Sequence, residues 1–376
     1  MSNSLTPSRT QRSAEDTGKA EAPAFLASST NLDFLRAVAV LFVVFFHIGL
    51  VFVEQRLPGG FHQIGRWGVL IFFVHTSFVL MWSLERQERV SLGGRLAAAF
   101  WTRRAFRIYP LSIVAVLVVV LLHLPVAGLR NGHGEMAPMT VGEIASNFLL
   151  LQNVTRSESV LAPLWSLPYE VQMYVLLPAL FVFVRNLSVV QMLGWWGLVA
   201  ILSQGWQMIP HARAFDLPAY VPCFLAGVMA YRLSKIFPRR LPFLLWPLTI
   251  TAVTVIFLLY PGLWTGWICT LLIGLVLPHC KEGLDGIPAE VCRLIARYSY
   301  GIYLSHFILV WLAFVRLADH SMAIRVLAFV GLLGVVPVAL YHLIEQPMIN
   351  VGVLLAQRLN SGARFGAAPS ARPATR

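Results

Sequence analysis

The chain has 376 residues, of which 57% are hydrophobic and only 12% are charged, and its mean hydropathy is +0.71. Soluble globular domains carry about a quarter charged residues, so this composition excludes an ordinary soluble domain and predicts an all-α integral membrane protein. The formal net charge of +12 is accounted for by membrane topology and by attraction to anionic lipid headgroups. No nucleic-acid partner is therefore expected.

Apolar windows of helical length recur along the chain and predict about ten membrane-spanning helices. We expect residues 1–30 and 351–376 to be disordered polar tails that flank a membrane domain at 31–350. The predicted spans are 34–53, 67–84, 108–124, 164–184, 189–206, 217–233, 241–260, 263–279, 298–315 and 326–344.

The distribution of positive charge predicts the orientation of these spans. Alternate connections differ about threefold in their content of Lys and Arg, and short cytoplasmic loops carry the excess. The richer side includes both tails, so both termini are expected in the cytoplasm, which agrees with an even number of spans. We expect a multi-pass protein of the inner, cytoplasmic membrane.

Two ionisable residues lie inside the first span. Arg36 and His47 are eleven residues apart, so a helix places them within roughly 20° of each other and ~16 Å apart along its axis. An imidazole in the middle of a span is by default a functional-site hypothesis, because it has no route to water. The alternative is a polar residue that bridges two helices.

A basic cluster follows the second span. Helical spacing makes Arg103, Arg104 and Arg107 neighbours on one patch, and guanidinium groups bind phosphate oxygens in a bidentate geometry. Arg36 is predicted near the same interface. These four residues indicate a site for a phosphorylated cytosolic ligand, the alternative being an ordinary positively charged cytoplasmic loop.

The fourth span opens with Trp165-Ser-Leu-Pro-Tyr-Glu170 and enters from the outer side. Glu170 is then about two turns deep, at a depth comparable with His47, so a contact between the two is expected. A carboxylate beside an imidazole fixes its tautomer and stabilises the imidazolium, as general-base catalysis requires. Alternatively, Glu170 binds neighbouring backbone or Tyr hydroxyls as structural support.

Other polar residues are weaker candidates. His306 is predicted as deep as His47 and is a candidate for the same cavity. For His75 in mid-span a structural role is favoured, and for the aromatic residues of 298–303 core packing is favoured.

Five segments in this order resemble the membrane acyltransferase 3 family, the integral-membrane O-acyltransferases of glycans and other hydroxyl acceptors. Arg36 and His47 match the family's Arg-x10-His in the first helix. The other four matching segments are 103–110 (RRAFRIYP), 165–174 (WSLPYEVQMY), 298–306 (YSYGIYLSH) and 345–347 (EQP).

The resemblance implies an acyl-CoA donor, most often acetyl-CoA, and no metal. It implies transfer to a carbohydrate hydroxyl, such as that of exopolysaccharide or lipopolysaccharide, with polysaccharide-biosynthesis machinery as a possible partner. On this hypothesis His47 and Glu170 are catalytic, and Arg36, Arg103, Arg104 and Arg107 bind the donor. The residues expected to bind substrate are Trp165, Tyr174, His75, Ser305 and His306.

Two other function classes stay open at this point. One is a secondary transporter or lipid-linked glycan flippase that uses Arg36 and His47 as a substrate or proton pathway. The other is a catalytically silent membrane partner that binds acyl-CoA.

The chain also departs from the family pattern. The segment 65–78 resembles the family's second helix, but Ser77 stands where the pattern has Gly, and His75 adds polarity there. Val171 stands where many relatives have a second carboxylate after Glu170.

Overall fold

The computed structural model describes residues 29–52, 59–89, 93–124, 139–210 and 215–361. Its regular structure is helical, apart from one isolated bridge between Leu241 and Cys280. The helices are α1 Thr30–Phe52, α2 Ile64–Glu88, α3 Gly94–Leu121, α4 Val141–Leu149, α5 Gln152–Thr155, α6 Leu167–Val184, α7 Val189–Met208, α8 Val221–Ile236, α9 Leu245–Leu259, α10 Leu263–Val276, α11 Gly286–Trp311, α12 Met322–Leu340 and α13 Gln346–Ser361. Of the tails predicted at 1–30 and 351–376, residues 1–28 and 362–376 lie outside the described residues.

Six helical stretches of the described chain are long and apolar enough to cross a membrane. They are Thr30–Phe52, Phe61–Glu88, Gly94–Leu121, Ala162–Val184, Gly286–Arg316 and Met322–Leu359, and two shorter apolar helices are Leu245–Leu259 and Leu263–His279. Large apolar side chains such as Leu121, Leu202 and Leu327 are exposed, as lipid-facing residues are. These features confirm the predicted class, an all-helical membrane bundle, and each of the ten predicted spans overlaps a helix.

Helix α1 packs antiparallel to α2 at very short range. A Cβ atom at Gly68 would lie 2.5 Å from the carbonyl oxygen of Ala39, and one at Gly65 would overlap the ring of Phe46. Only glycine permits this approach, which is how small residues bring membrane helices together. Because α1 also packs on α11, its buried face meets two neighbours at once.

Most of the described Lys and Arg residues outside the spans lie at one end of the bundle, which we call the basic end. Helices α1, α3 and α11 begin at this end, whereas α2, α6 and α8 finish there. Ion pairs that join different segments there are Arg185–Glu88, Lys235–Glu85 and Arg239–Glu282. The opposite end is called the far end.

Helix α13 corrects the predicted start of the C-terminal tail at residue 351, since it continues to Ser361. Its buried residues Gly352 and Ala356 are four apart and therefore share one face. A Cβ atom at Gly352 would lie 2.6 Å from the side chain of Phe106. The segment is helical because this narrow face packs on α3, a contact that its modest apolar content does not reveal.

Candidate active site

A cavity of about 720 Å³, including its open mouth, lies between α1, α2, α3, α6 and α11. It extends along α2 from Val69 to Leu80, a distance of ~16 Å for eleven residues of helix. The polar residues that line it are Arg36, His75, Thr76, Arg104, Arg107, Ser166, Glu170, Tyr174, Ser299, Tyr300 and Tyr303.

Three guanidinium groups reach this cavity from two helices. Arg36 Nε donates a hydrogen bond of 2.6 Å to Ser299 Oγ, and Arg107 forms an ion pair with Glu345. Arg104 Nε is buried and has no hydrogen-bond partner in the described part of the chain. The site therefore holds more positive than negative charge and can accept an anion.

Glu170 is the carboxylate of the cavity lining, and its hydrogen-bond partner is a tyrosine. Tyr174 Oη donates to Glu170 Oε1 over 2.7 Å, and Glu170 interacts electrostatically with Arg36 and Arg104. The expected contact between Glu170 and His47 is not formed. Glu170 instead makes the tyrosine contact that was the alternative interpretation of the sequence.

The depth of Glu170 explains why it misses His47. Residues 162–166 form a 3₁₀ segment that is already inside the bundle before α6 begins, and Ser166 Oγ lies 2.7 Å from Tyr303 Oη. Glu170 is one turn from Ser166 towards the basic end, whereas His306, the neighbour of His47, is one turn from Tyr303 towards the far end. Glu170 and His47 are thus separated by about two helical turns, ~10 Å along the bundle.

His47 lies against a second histidine. Its Nδ1 atom is 2.9 Å from the carbonyl oxygen of Val43 and 3.1 Å from His306 Nε2. His306 Nδ1 is in turn 3.0 Å from the carbonyl oxygen of Ile302. Phe307 contacts the His47 ring edge-on. His47 is 7% exposed and His306 is fully buried, so this pair is shielded from bulk solvent on the far-end side of the cavity.

Tyr303 separates the pair from the cavity. Its ring is part of the cavity lining, and its centroid is 6.1 Å from that of His306. Its hydroxyl lies close to Ser166 Oγ and donates to the carbonyl oxygen of Pro163. The cavity and the histidine pair are therefore two compartments that share the wall formed by Tyr303.

Two of the weaker sequence candidates line the cavity. His75 is 5% exposed and faces the same space as Arg36. Tyr174 lines the cavity as well, and its backbone carbonyl accepts a hydrogen bond from Trp101 Nε1. Polarity in the middle of α2 thus contributes to the site, although the sequence alone favoured a structural role for His75.

Three other candidates do not reach the cavity. Arg103 precedes Arg104 by one residue, about 100° around the helix, and its charged neighbour is Arg86. The ring of Trp165 packs against those of Tyr169 and Tyr220. Ser305 Oγ donates to the carbonyl oxygen of Gly301 within its own helix.

Ser299 was not among the residues predicted for the site, and Tyr303 was expected to pack in the core, yet both line the cavity. A signal was present, because residues 299, 303 and 306 follow the i, i+4, i+7 spacing of one helix face. A polar stripe on an otherwise apolar span indicates a face that is turned away from lipid.

Comparison with known proteins gives the family. The acyltransferase 3 family model, described as an acyltransferase domain, matches residues 29–343. The peptidoglycan O-acetyltransferase OatA of Listeria monocytogenes is 29% identical over 327 residues, which cover 74% of this chain and 48% of OatA. A putative O-acetyltransferase of Staphylococcus aureus is 26% identical over 360 residues, 86% of this chain and 58% of the relative.

The acyltransferase MdmB of Streptomyces mycarofaciens is 28% identical over 182 residues, 46% of this chain and 44% of MdmB. The chain thus spans about half the length of the curated relatives it matches. No solved structure matches it significantly. The family match extends from the start of α1 into the π-helical turn that follows α12 and includes every helix that lines the cavity, so the chain belongs to the acyltransferase 3 family.

Proposed function

We propose that this protein is a membrane O-acyltransferase that moves an acyl group, most often acetyl, from cytosolic acyl-CoA to a hydroxyl of a carbohydrate acceptor. The observation that carries the proposal is the convergence of Arg36, Arg104 and Arg107 on one buried cavity. Three guanidinium groups in a half-enclosed space suit the phosphates of a nucleotide-linked donor better than they suit an ordinary topological loop.

In this proposal the donor enters at the basic end, which is cytoplasmic. Its phosphates bind Arg104, Arg107 and Arg36, which line the same cavity. The ~16 Å length of the cavity along α2 holds that arm extended, with the thioester pointing towards Tyr303. Glu170 and Tyr174 maintain the orientation of the arginines, so Glu170 belongs to the donor site and not to the general base.

The reaction needs a general base, and in this proposal the base lies on the far-end side of Tyr303. His47 removes the proton from the acceptor hydroxyl, whose oxygen attacks the thioester carbonyl carbon. The tetrahedral intermediate collapses, the C–S bond breaks, and the CoA thiolate takes the proton back from the His47 imidazolium. Tyr303 must turn aside for the thioester to meet the acceptor, and the buried site protects the thioester from hydrolysis.

The acceptor approaches from the far end in this scheme. OatA is by name a peptidoglycan O-acetyltransferase, which supports a glycan of the cell envelope as the acceptor, such as exopolysaccharide or lipopolysaccharide. We further propose about ten spans, both termini in the cytoplasm and residence in the inner membrane, beside polysaccharide-biosynthesis machinery.

Radiolabelled acetyl-CoA and the purified protein in nanodiscs test the proposal. We expect label to pass to an envelope glycan fraction, and Arg104→Gln to raise the KM for acetyl-CoA roughly tenfold, as expected for a lost charged hydrogen bond. Arg185→Gln is the matched control, because Arg185 pairs with Glu88 on the surface of the same end.

Two outcomes oppose the proposal. Binding of acetyl-CoA without transfer to any acceptor across a broad panel favours a silent partner. Movement of glycan across the bilayer without acetyl transfer favours the flippase.

A further inference from the structure

We infer that His306 is the positioning residue of the general base: together with the Val43 carbonyl it accepts the Nδ1 proton of His47, which leaves His47 Nε2 as the basic atom, and it stabilises the imidazolium formed during transfer. The inference rests on the proposed function and deepens it, because it names the atom that removes the acceptor proton. It replaces the role that the sequence had suggested for Glu170.

The hydrogen positions follow from three short contacts. A carbonyl oxygen only accepts, so His306 Nδ1 must carry a proton to bond the carbonyl of Ile302. A neutral His306 therefore presents a lone pair on Nε2, which faces His47 Nδ1. His47 Nδ1 also faces the carbonyl of Val43 and so must carry a proton as well, and this one proton is shared between the Val43 carbonyl oxygen and His306 Nε2 in a three-centre hydrogen bond.

Any other neutral assignment places two lone pairs against each other at about 3 Å, as in the Val43 contact when His47 Nδ1 is bare. The only tautomer that satisfies all three contacts leaves His47 Nε2 unprotonated. In the described part of the chain that atom has no hydrogen-bond partner, so it is free to bind an acceptor hydroxyl.

His306 has a second effect once His47 becomes charged. When His47 Nε2 takes the acceptor proton, its Nδ1–H becomes a charged donor to His306 Nε2, and hydrogen bonds to charged groups are stronger than neutral ones. His306 stays neutral because two imidazolium rings whose centroids are 4.9 Å apart would repel each other in a buried site. The pair thus binds one additional proton and returns it to the CoA thiolate.

Solid-state ¹⁵N NMR of the histidine-labelled full chain in lipid tests the tautomer without any activity. The chain has ten histidines, and the His47 resonances are those that disappear in His47→Gln. We expect a bare, pyridine-type Nε2 and a protonated Nδ1. A protonated Nε2 with a bare Nδ1 overturns the inference, even if the protein transfers acetyl groups.

Kinetics test the stabilising role of His306. We expect His306→Phe to lower kcat roughly ten- to hundredfold, the equivalent of one lost hydrogen bond to a charged group, with an unchanged KM for acetyl-CoA. His306→Gln should recover part of kcat, because its amide oxygen can replace Nε2 as the acceptor. His342→Phe and His342→Gln are matched controls, since His342 bonds Tyr298 outside the cavity.

The measurements distinguish failure of the positioning role from failure of the proposed function. A kcat that is equally low in His306→Phe and His306→Gln, or a raised KM with normal kcat, overturns the positioning role. Absence of acetyl transfer in the wild-type protein contradicts the proposed function and leaves the tautomer to the NMR result.

Discussion

Arg107 and Glu345 form an ion pair that joins α3 to the π-helical turn at Tyr341–Glu345. The Glu345 side chain is fully buried, whereas that of Arg107 is 19% exposed. The second carboxylate oxygen of Glu345 has no hydrogen-bond partner in the described chain. The pair therefore supports one wall of the cavity with a buried carboxylate whose hydrogen-bond partner among the described residues is Arg107.

This difference in burial predicts that Arg107→Met and Glu345→Gln lower the free energy of unfolding by unequal amounts. Arg107→Met should lower the free energy of unfolding by about 3–5 kcal/mol, because it leaves a buried carboxylate unpaired. Glu345→Gln should cost less, since Arg107 can still reach water. Thermal unfolding in detergent micelles measures both.

The double substitution Arg107→Met with Glu345→Met serves as the control and should recover most of the lost stability, because it removes both buried charges. A larger loss for Glu345→Gln than for Arg107→Met would contradict the proposed asymmetry.

The hydrogen bond between Arg36 and Ser299 leads to a second prediction. Ser299→Ala removes the acceptor that orients the Arg36 guanidinium, and we expect the affinity for acetyl-CoA to fall roughly tenfold because a bond to a charged group is lost. Isothermal titration calorimetry with the protein in nanodiscs measures this change.

Ser234→Ala is the control for Ser299→Ala. Ser234 Oγ bonds the carbonyl of Tyr231 within α8, outside the cavity, so its removal should leave donor affinity unchanged. Equal affinities for the wild type and Ser299→Ala would show that the hydrogen bond from Arg36 to Ser299 does not contribute to donor binding.

The sequence predicts the polar residues of this site better than it predicts their partners. The sequence shows Arg36 and His47 as ionisable residues on one face of a membrane span, where burial costs free energy. Which side chain contacts His47 depends instead on how deep each residue lies in the bundle. Depth was misjudged for Glu170 because the chain enters the bundle before α6 begins, and a hydropathy window places the start of a span at the membrane surface.

The second feature that the sequence does not predict is which side of a helix faces the cavity. Spacing groups Arg103 with Arg104, yet the neighbours of α3 determine which of the two faces the cavity. Helix α13 shows the same limit, since its helical structure depends on a contact with Phe106 that is distant in sequence. By contrast, the helical class follows from composition, and apolar windows of helical length locate segments that each overlap a helix.

Glu282 predicts a pH dependence of stability at the basic end. Burial alone would raise its pKa, but hydrogen bonds from Ser29, Thr30 and the Asn31 backbone, together with Arg239, hold the pKa below its ordinary value of 4.5. A carboxylate with a depressed pKa stabilises the folded state at neutral pH, and this stabilisation is lost as pH falls through the folded pKa.

Wild type and Glu282→Gln should therefore differ in thermal stability at neutral pH and converge only when the pH falls below the depressed pKa of Glu282 in the folded state. Unfolding temperatures recorded over that range measure the difference. Glu290→Gln is the control, because Glu290 is exposed and, among the described residues, forms its ion pair with Arg293 on its own helix. A difference that persists at low pH would contradict the assignment to Glu282 ionisation.

The position of Tyr303 predicts that its ring protects the bound donor from hydrolysis. Tyr303→Ala opens the wall between the cavity and the histidine pair, so we expect faster hydrolysis of acetyl-CoA in the absence of acceptor, because water gains access to the thioester. Tyr303→Phe keeps the ring, loses only the two bonds to Pro163 and Ser166, and should cost about 1–3 kcal/mol of stability without raising hydrolysis. Release of free CoA thiol measures hydrolysis, and thermal unfolding confirms that each variant is folded. Hydrolysis that is equally slow in a folded Tyr303→Ala variant would show that the ring does not separate the donor from water.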